Sequence, residues 1–156
     1  MNTHKTFTFL AFYASTFVAA SSAAVWDVGG TWYQSLNQPS FTPPSWVFGP
    51  VWTILYLMIA IVGYRIAYAA QTPLKAPTLA LWALQIALNT LWTPVFFGAK
   101  NLGGAMIYIG LLRVTICVLI WATSQVDKPS AILLLPYLAW VSFAGVLNFA
   151  FWSLNP

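Results

Sequence analysis

Long apolar runs with almost no charge limit what this chain can fold into. A helix needs about 20 mainly apolar residues to cross the hydrocarbon core of a bilayer. The runs are continuous rather than alternating, which favours helices over a membrane β-barrel. The sequence therefore predicts an all-α integral membrane protein, one bundle of five transmembrane helices. The predicted spans are about 6–26, 46–70, 78–98, 102–124 and 129–152.

Composition and charge support this class. Hydrophobic residues make up 60% of the chain and charged residues 5%, against about 25% charged in soluble domains. The basic residues are scattered singly, so we expect no nucleic-acid partner. Five spans put Lys5, Arg65, Lys75 and Lys128 on one side and Lys100 on the other. This bias predicts a cytoplasmic N-terminus if the protein lies in an inner membrane.

The first predicted span has two interpretations. Residues 1–25 have a short basic start, an apolar centre and small residues at the end, a pattern that is also typical of a secretory signal peptide. The alternative is a retained membrane helix. With five spans, the long first loop at about 27–45 lies on the same side as the C-terminus.

Three predicted spans each carry aromatic or amide residues on one face. Spacings of three and four residues put side chains on a shared helix face. Amides on such a face either bond to neighbouring helices or orient a ligand between flat indole surfaces. Three faces of this kind favour a ligand pocket. The residues are Trp52 and Tyr56, then Trp82, Gln85, Asn89 and Trp92, and finally Tyr137, Trp140, Ala144, Asn148 and Phe151.

Alanines also recur along the third span. Ala76, Ala80, Ala83 and Ala87 are separated by four, three and four residues. Small residues at these spacings permit the close approach of another helix. We interpret this face as the seam of a homodimer.

Conventional catalysis is not expected. The acidic residues are Asp27 and Asp127, both near span ends, and the histidine is His4. These residues assemble no catalytic triad, carboxylate pair or metal cluster at membrane depth, so we predict neither a metal nor a cofactor.

Arg113 is an exception to this apolar pattern. It falls near the middle of the fourth span, where arginine costs about 2.5–3.5 kcal/mol on insertion scales. It bonds backbone carbonyls or reaches water, or it meets a ligand carboxylate or lipid head group.

Three motifs carry a resemblance to a known family. They are FTPPSWVFGPVWTILY at 41–56, ALNTLWTPVFFGAK at 87–100 and LPYLAWVSFAGVLNFAFW at 135–152. With five short spans and many tryptophans, the sequence resembles the translocator protein family, also called the tryptophan-rich sensory protein or peripheral benzodiazepine receptor family. The likeness runs from about Trp32 to Trp152. It favours a retained first helix and implies a five-helix, commonly dimeric bundle with a pocket open toward the first loop.

The resemblance also implies a function. Family members bind tetrapyrroles such as protoporphyrin IX, haem-related porphyrins, isoquinoline carboxamide drugs and, in animals, cholesterol. The first hypothesis is therefore a membrane receptor or transporter for porphyrins or other apolar ligands. The second is porphyrin degradation in light and oxygen, as linked to some bacterial members, with Trp52 and Trp140 as catalytic residues. The third is a structural lipid-binding scaffold. The family pattern places Trp52, Asn89 and Trp140 in the pocket, with Tyr56, Ala144 and Trp152 nearby, and the residue patterns add Gln85 and Arg113.

The sequence departs from the animal members at two points. Phe149 and Ser153 stand where a cholesterol motif has tyrosine and arginine, which argues against sterol binding through that motif. Gly104 replaces an aromatic drug contact, which predicts weak drug affinity.

The first loop is rich in proline. Pro39, Pro43 and Pro44 in the loop, with Pro50 at the start of the second span, limit backbone freedom before binding, which lowers the ordering cost of a ligand. We therefore interpret 27–45 as a lid over the pocket.

Overall fold

The computed structural model describes residues 3–156, with side chains described except at positions 3, 4, 22 and 23. Within that range the chain is helical and contains no strand, which confirms the all-α prediction. Seven α-helices follow in order: α1 Thr3–Val25, α2 Thr31–Ser35, α3 Ser45–Tyr68, α4 Lys75–Thr93, α5 Leu102–Val126, α6 Lys128–Leu133 and α7 Leu135–Leu154.

Four helical segments of the described chain are long and apolar enough to cross a bilayer. They are α3, α4 with its extension to Gly98, α5, and α6 together with α7. The predicted span at about 6–26 corresponds to α1, which has 23 residues but is not one of these four. The predicted five spans thus become four by length and hydropathy, with α1 as a further helix whose apolar residues are interspersed with serine and threonine.

Close packing joins α1 to α3 and α4. A Cβ atom on Gly63 of α3 would lie 2.5 Å from Phe12 Cδ1 and 2.8 Å from Trp82 Cε2, so only glycine fits there without a shift. The rings of Phe12 and Trp82 meet edge to face with centroids 4.9 Å apart. The Trp82 indole N–H donates to the Ile59 carbonyl oxygen at 2.9 Å. These contacts favour the retained-helix interpretation of the first span.

Two prolines interrupt the regular helices. At Pro94 the chain leaves α4 and continues as a π-helical turn, Pro94–Gly98. Near Pro136 the predicted single span 129–152 divides, since α6 ends at Leu133 and α7 begins at Leu135. Both interruptions follow from the missing N–H and the bulk of proline, which prevent normal helical bonding to the preceding turn.

The outer surface of the bundle is apolar. Ile107, Val114 and Trp121 lie on one side of α5 and are each at least 60% exposed. The opposite side of α5 is buried among α4 and α7, with Ile116 and Leu119 in the core. Lipid chains would cover such an outer face in a bilayer, and a water-soluble monomer rarely exposes one this large.

A polar cluster closes the end of the bundle where the chain starts. Arg65 donates from Nε and Nη2 to the two carboxylate oxygens of Asp127, at 2.8 and 3.0 Å. Ser130 also donates to this carboxylate. The Arg65 guanidinium lowers the pKa of Asp127 below its ordinary value. Lys5 lies 5.6 Å from the Tyr68 ring at the same end, whereas Lys100 lies at the other.

Candidate functional site

The predicted pocket face of α3 carries two stacked rings. Trp52 and Tyr56 are one helical turn apart, with centroids 5.2 Å apart and planes at 26°. Trp52 also meets Tyr137 of α7 edge to face at 6.4 Å. Helical periodicity therefore places both predicted α3 residues on one face, where Trp52 contacts α7.

A directed chain of hydrogen bonds joins α3, α4 and α7. The Tyr56 hydroxyl donates to Asn89 Oδ1 at 3.0 Å, and Asn89 Nδ2 donates to the Tyr137 hydroxyl oxygen at 2.9 Å. The Tyr137 hydroxyl then donates to Gln85 Oε1 at 2.8 Å. Gln85 and Tyr137 are fully buried. Gln85 and Asn89, the two amides predicted on α4, therefore lie in one hydrogen-bond network with Tyr56 of α3 and Tyr137 of α7.

Two donors beside this network have no acceptor among the described residues. They are Gln85 Nε2, at the end of the chain of bonds, and Trp140 Nε1 on α7. A buried donor without a partner costs about 1–3 kcal/mol. These two N–H groups are therefore the ones that would gain most from a ligand that brings a hydrogen-bond acceptor.

Trp140 forms the wall between the bundle and an outer groove. Its ring meets Phe48 at 5.8 Å and Phe143 at 5.6 Å. The groove between α3 and α7 has a volume of about 440 Å³, within the range of about 300–1,000 Å³ that small-molecule sites occupy. All its lining residues are apolar: Val51, Ile54, Leu55, Met58, Pro136, Ala139, Trp140 and Phe143.

The first loop lies across the end of the bundle next to this site. Its short helix α2 packs Trp32 on Phe96 at 6.0 Å and Tyr33 on Phe151 at 5.3 Å. Burial raises the pKa of Tyr33 above its ordinary value. Farther along, Phe41 meets Phe143, a lining residue of the groove, at 6.5 Å. The loop is thus packed against the bundle at both ends.

The chain matches the family model of the TspO/MBR family over residues 7–153. It belongs to this family. Protein CrtK of Rhodobacter capsulatus is 41% identical over 152 residues, covering 95% of this chain and 92% of that protein. A tryptophan-rich sensory protein of Cereibacter sphaeroides is 37% identical, covering 94% and 90%. The translocator protein of Bos taurus is 38% identical over 129 residues, covering 81% and 76%.

Membership confirms the resemblance and, with the four apolar helices, an integral membrane protein that crosses the bilayer several times. Of the eight residues that the sequence assigned to the site of this TspO/MBR protein, direct contacts join four, since Tyr56, Asn89 and Gln85 are linked through Tyr137 and Trp52 packs on Tyr56 and Tyr137. Trp140 and Ala144 pack against the same extended hydrophobic core cluster.

The other two predicted site residues lie elsewhere in this TspO/MBR fold. Trp152 is 47% exposed and lies beside Gly103 at the start of α5. Arg113 lies on the outer face of α5 and has no hydrogen bond or ion pair within residues 3–156. Neither contacts the chain from Tyr56 to Gln85.

Sequence reasoning about the TspO/MBR chain underrated Tyr137, which was placed on the right face of α7 but not among the site residues. The sequence signal for Tyr137 is its position three residues before Trp140, on the predicted pocket face of its helix, while the amides Gln85 and Asn89 lie on the predicted pocket face of α4. Trp92 and Asn148 of the same faces serve helix contacts instead. Trp92 Nε1 donates to Asn148 Oδ1 at 3.2 Å, and Asn148 Nδ2 donates to the Leu102 carbonyl oxygen at 3.0 Å.

Proposed function

We propose that this protein binds a tetrapyrrole, such as protoporphyrin IX or a haem-related porphyrin, between α3, α4 and α7. The observation that carries the proposal is the placement of Trp52 and Tyr56 on the hydrogen-bonded amide network, with the unpaired indole N–H of Trp140 one turn along α7 from Tyr137. A flat aromatic macrocycle can stack on such rings, and each aromatic contact is worth about 0.5–1.5 kcal/mol beyond area burial. The lining of the adjacent groove is apolar, which suits the macrocycle faces.

The state of the amides limits how this ligand is recognised. Asn89 already uses its oxygen for Tyr56 and its nitrogen for Tyr137. The free donors are Gln85 Nε2 and Trp140 Nε1. A porphyrin carries carboxylate side groups that accept hydrogen bonds, so it can satisfy a donor that an unsubstituted macrocycle leaves unpaired. We therefore expect porphyrin acids to bind more tightly than their esters.

A receptor or transporter role fits the names of the relatives. One relative is called a sensory protein and another a translocator protein. Both names suit a membrane protein that holds a small ligand and passes on either the ligand or the information that it is bound.

Trp140→Phe tests the site because it keeps an aromatic ring and removes the unpaired N–H. We expect this variant to bind protoporphyrin IX about tenfold more weakly. The binding is measured by titration in detergent or nanodiscs, with the absorbance of the porphyrin as the signal. Trp121→Phe is the matched control, since Trp121 is 60% exposed on the outer face of α5. Asn89→Ala should also weaken binding. Unchanged titrations for both site variants would remove the pocket assignment, and no binding by folded wild type would favour the lipid-binding scaffold.

We propose light-dependent porphyrin degradation as a second candidate. The observation that favours it is the group of oxidisable side chains at the site, where the Trp52 ring contacts both Tyr56 and Tyr137. Oxygen would be the oxidant, and no general acid or base is needed. Product analysis in light and in darkness decides. Equal porphyrin loss with and without protein would show that the protein does not have this activity. Equal rates in wild type and the Trp52→Phe/Trp140→Phe variant would show that these tryptophans do not take part.

We also propose that the protein forms a homodimer through α4. Ala76, Ala80, Ala83 and Ala87 are all exposed, so none of the residues that the structure describes buries this face. Ala83→Leu should block the close approach of a second helix and shift the cross-linked population from dimer to monomer. Val114→Leu, on the exposed face of α5, is the control. Equal dimer yields for wild type and Ala83→Leu would place the seam elsewhere.

A further inference from the structure

The first loop is tied to the C-terminal end of α7 by a pair of asparagines. The Asn37 backbone N–H donates to Asn155 Oδ1 at 2.9 Å, and Asn155 Nδ2 donates to the Asn37 carbonyl oxygen at 3.1 Å. Asn37 Nδ2 also donates to the Leu154 carbonyl oxygen at 3.3 Å. These three hydrogen bonds join positions 117 or 118 residues apart in the sequence. They are called the asparagine clasp below.

Asn155 is itself fixed to α7. Its Nδ2 donates a further hydrogen bond to the Phe151 carbonyl oxygen at 2.8 Å, in the last turn of the helix. One side chain therefore serves the end of a membrane helix and the backbone of the loop together. If the Asn155 side chain only satisfied the end of α7, it would bond to Phe151 and not to Asn37.

The loop beyond the clasp is a compact turn that can move as one piece. The N–H and the hydroxyl of Thr42 both donate to the Pro39 carbonyl oxygen, at 3.0 and 2.8 Å. Pro43 and Pro44 follow directly and restrict the backbone. This turn carries Phe41, whose ring rests on Phe143.

Different kinds of contact hold the two halves of the loop. The first half is held by aromatic packing of Trp32 and Tyr33 on the bundle. The second half is held by the clasp, by Pro39, which is buried, and by Phe41, which is 48% exposed. Asn155 borders a polar hollow of about 460 Å³, so water reaches the clasp and competes for its hydrogen bonds. The second half is therefore the part that opens first.

We propose that the asparagine clasp is the latch of the first loop and that Asn155 is its positioning residue. With the clasp formed, Phe41 stays on Phe143 and the loop covers the end of the site beside Trp140. With the clasp broken, residues 38–44 swing away and the site opens to water. The consequence for ligand exchange rests on the proposed function, whereas the opening of the loop does not.

Variants that remove different numbers of bonds distinguish a role of Asn155 in holding the loop from a role in satisfying the end of α7. Asn155→Ala removes the two bonds that its side chain makes to Asn37. Asn37→Ala removes only the bond to Leu154 and keeps both backbone bonds, so we expect a smaller effect. Gln38→Ala in the loop and Ser153→Ala in α7 are the controls. The Ser153 hydroxyl bonds only within its own helix, to the Ala150 carbonyl.

The opening is measured without ligand by fluorine NMR, with 4-fluorophenylalanine at position 41 of the full-length protein in nanodiscs. Stopped-flow association of protoporphyrin IX then measures access to the site. We expect Asn155→Ala to raise the open fraction and the association rate about tenfold, with both controls unchanged. Thermal unfolding checks that the variants fold.

Each outcome bears on one claim. An unchanged fluorine spectrum in Asn155→Ala overturns the latch. A larger open fraction with an unchanged association rate shows that the loop does not control ligand access, which overturns the claim about ligand exchange. If wild type binds no porphyrin, the proposed function fails, and the fluorine result alone supports or overturns the latch.

Discussion

Tyr137 shows how much one side chain decides at this site. Its hydroxyl accepts from Asn89 and donates to Gln85, inside a fully buried environment. Asn89 Nδ2 and Gln85 Oε1 both bond to this hydroxyl. Without it, Gln85 Oε1 would lose its partner, and Asn89 would keep only its bond from Tyr56.

Tyr137→Phe should destabilise the protein although it deletes a single oxygen atom. It leaves Asn89 Nδ2 and Gln85 Oε1 buried without their partner, at about 1–3 kcal/mol for each orphaned group. Tyr13→Phe is the control because Tyr13 is 43% exposed on α1. Thermal unfolding in detergent measures both variants. Equal stability losses would mean that the buried chain contributes nothing specific.

The sequence predicts only some of the residue contacts at this site. Spacing along each helix correctly grouped Trp52 with Tyr56 and Gln85 with Asn89, since helical periodicity alone decides which side chains share a face. Periodicity does not say which face a neighbouring helix covers. Arg113 is a candidate in the sequence because an arginine at membrane depth needs a partner, yet it lies on the exposed side of α5. The central role of Tyr137 depends on hydrogen-bond directions that appear only after three helices are packed.

At the scale of elements, local chemistry fixed some boundaries better than others. The predicted spans 46–70 and 102–124 lie close to α3 and α5, because charges, prolines and glycines bound their apolar runs. The five-residue α2 was missed inside the predicted loop. A helix so short has little stability alone, and it forms where Trp32 and Tyr33 pack on the aromatic residues of other elements.

The packing of α1 against α3 and α4 gives a prediction at this scale. Gly63→Ala places a methyl group against Phe12 and Trp82, so α1 must shift, at about 1–3 kcal/mol for an overpacked core. Gly110→Ala is the matched control, since its Cβ would meet nothing within 4 Å. In the helix α5 this change should stabilise by about 0.4–1 kcal/mol. Unfolding of the two variants in the same detergent compares them, and similar shifts would contradict the close approach of α1.

For the whole molecule, the two ends of the bundle are closed by different chemistry. Arg65, Asp127 and Ser130 join α3 to the start of α6 at one end. The asparagine clasp joins the first loop to α7 at the other end. The carboxylate of Asp127 can be protonated, whereas the neutral amides of the clasp do not titrate. Acid should therefore weaken the ion pair and leave the hydrogen bonds of the clasp unchanged.

Asp127 predicts the direction of that response. Its pKa is lowered by Arg65 in the folded state, against about 3.9 in an unfolded chain. Its contribution to stability is therefore fully present above about pH 4 to 5 and is lost as pH falls through the lower folded pKa. The Arg65 side chain is 43% exposed, so we expect only about 0.2–1 kcal/mol. Asp127→Asn should remove this part of the acid sensitivity of unfolding, and an unchanged pH profile would contradict it.

Arg113 makes the outer surface of the molecule testable. It lies among exposed apolar residues such as Val114, with Cys117 one turn away, and finds no partner among the described residues. Its charge must then reach a lipid head group, water or a second molecule. Arg113→Leu should therefore leave protoporphyrin IX affinity unchanged and raise thermal stability in lipid, because leucine suits an outer face. Val114→Leu controls for a change in bulk alone. If Arg113→Leu instead weakens binding of the porphyrin acid and spares an uncharged ligand, Arg113 meets the ligand carboxylate, and the site must extend to the outer face of α5.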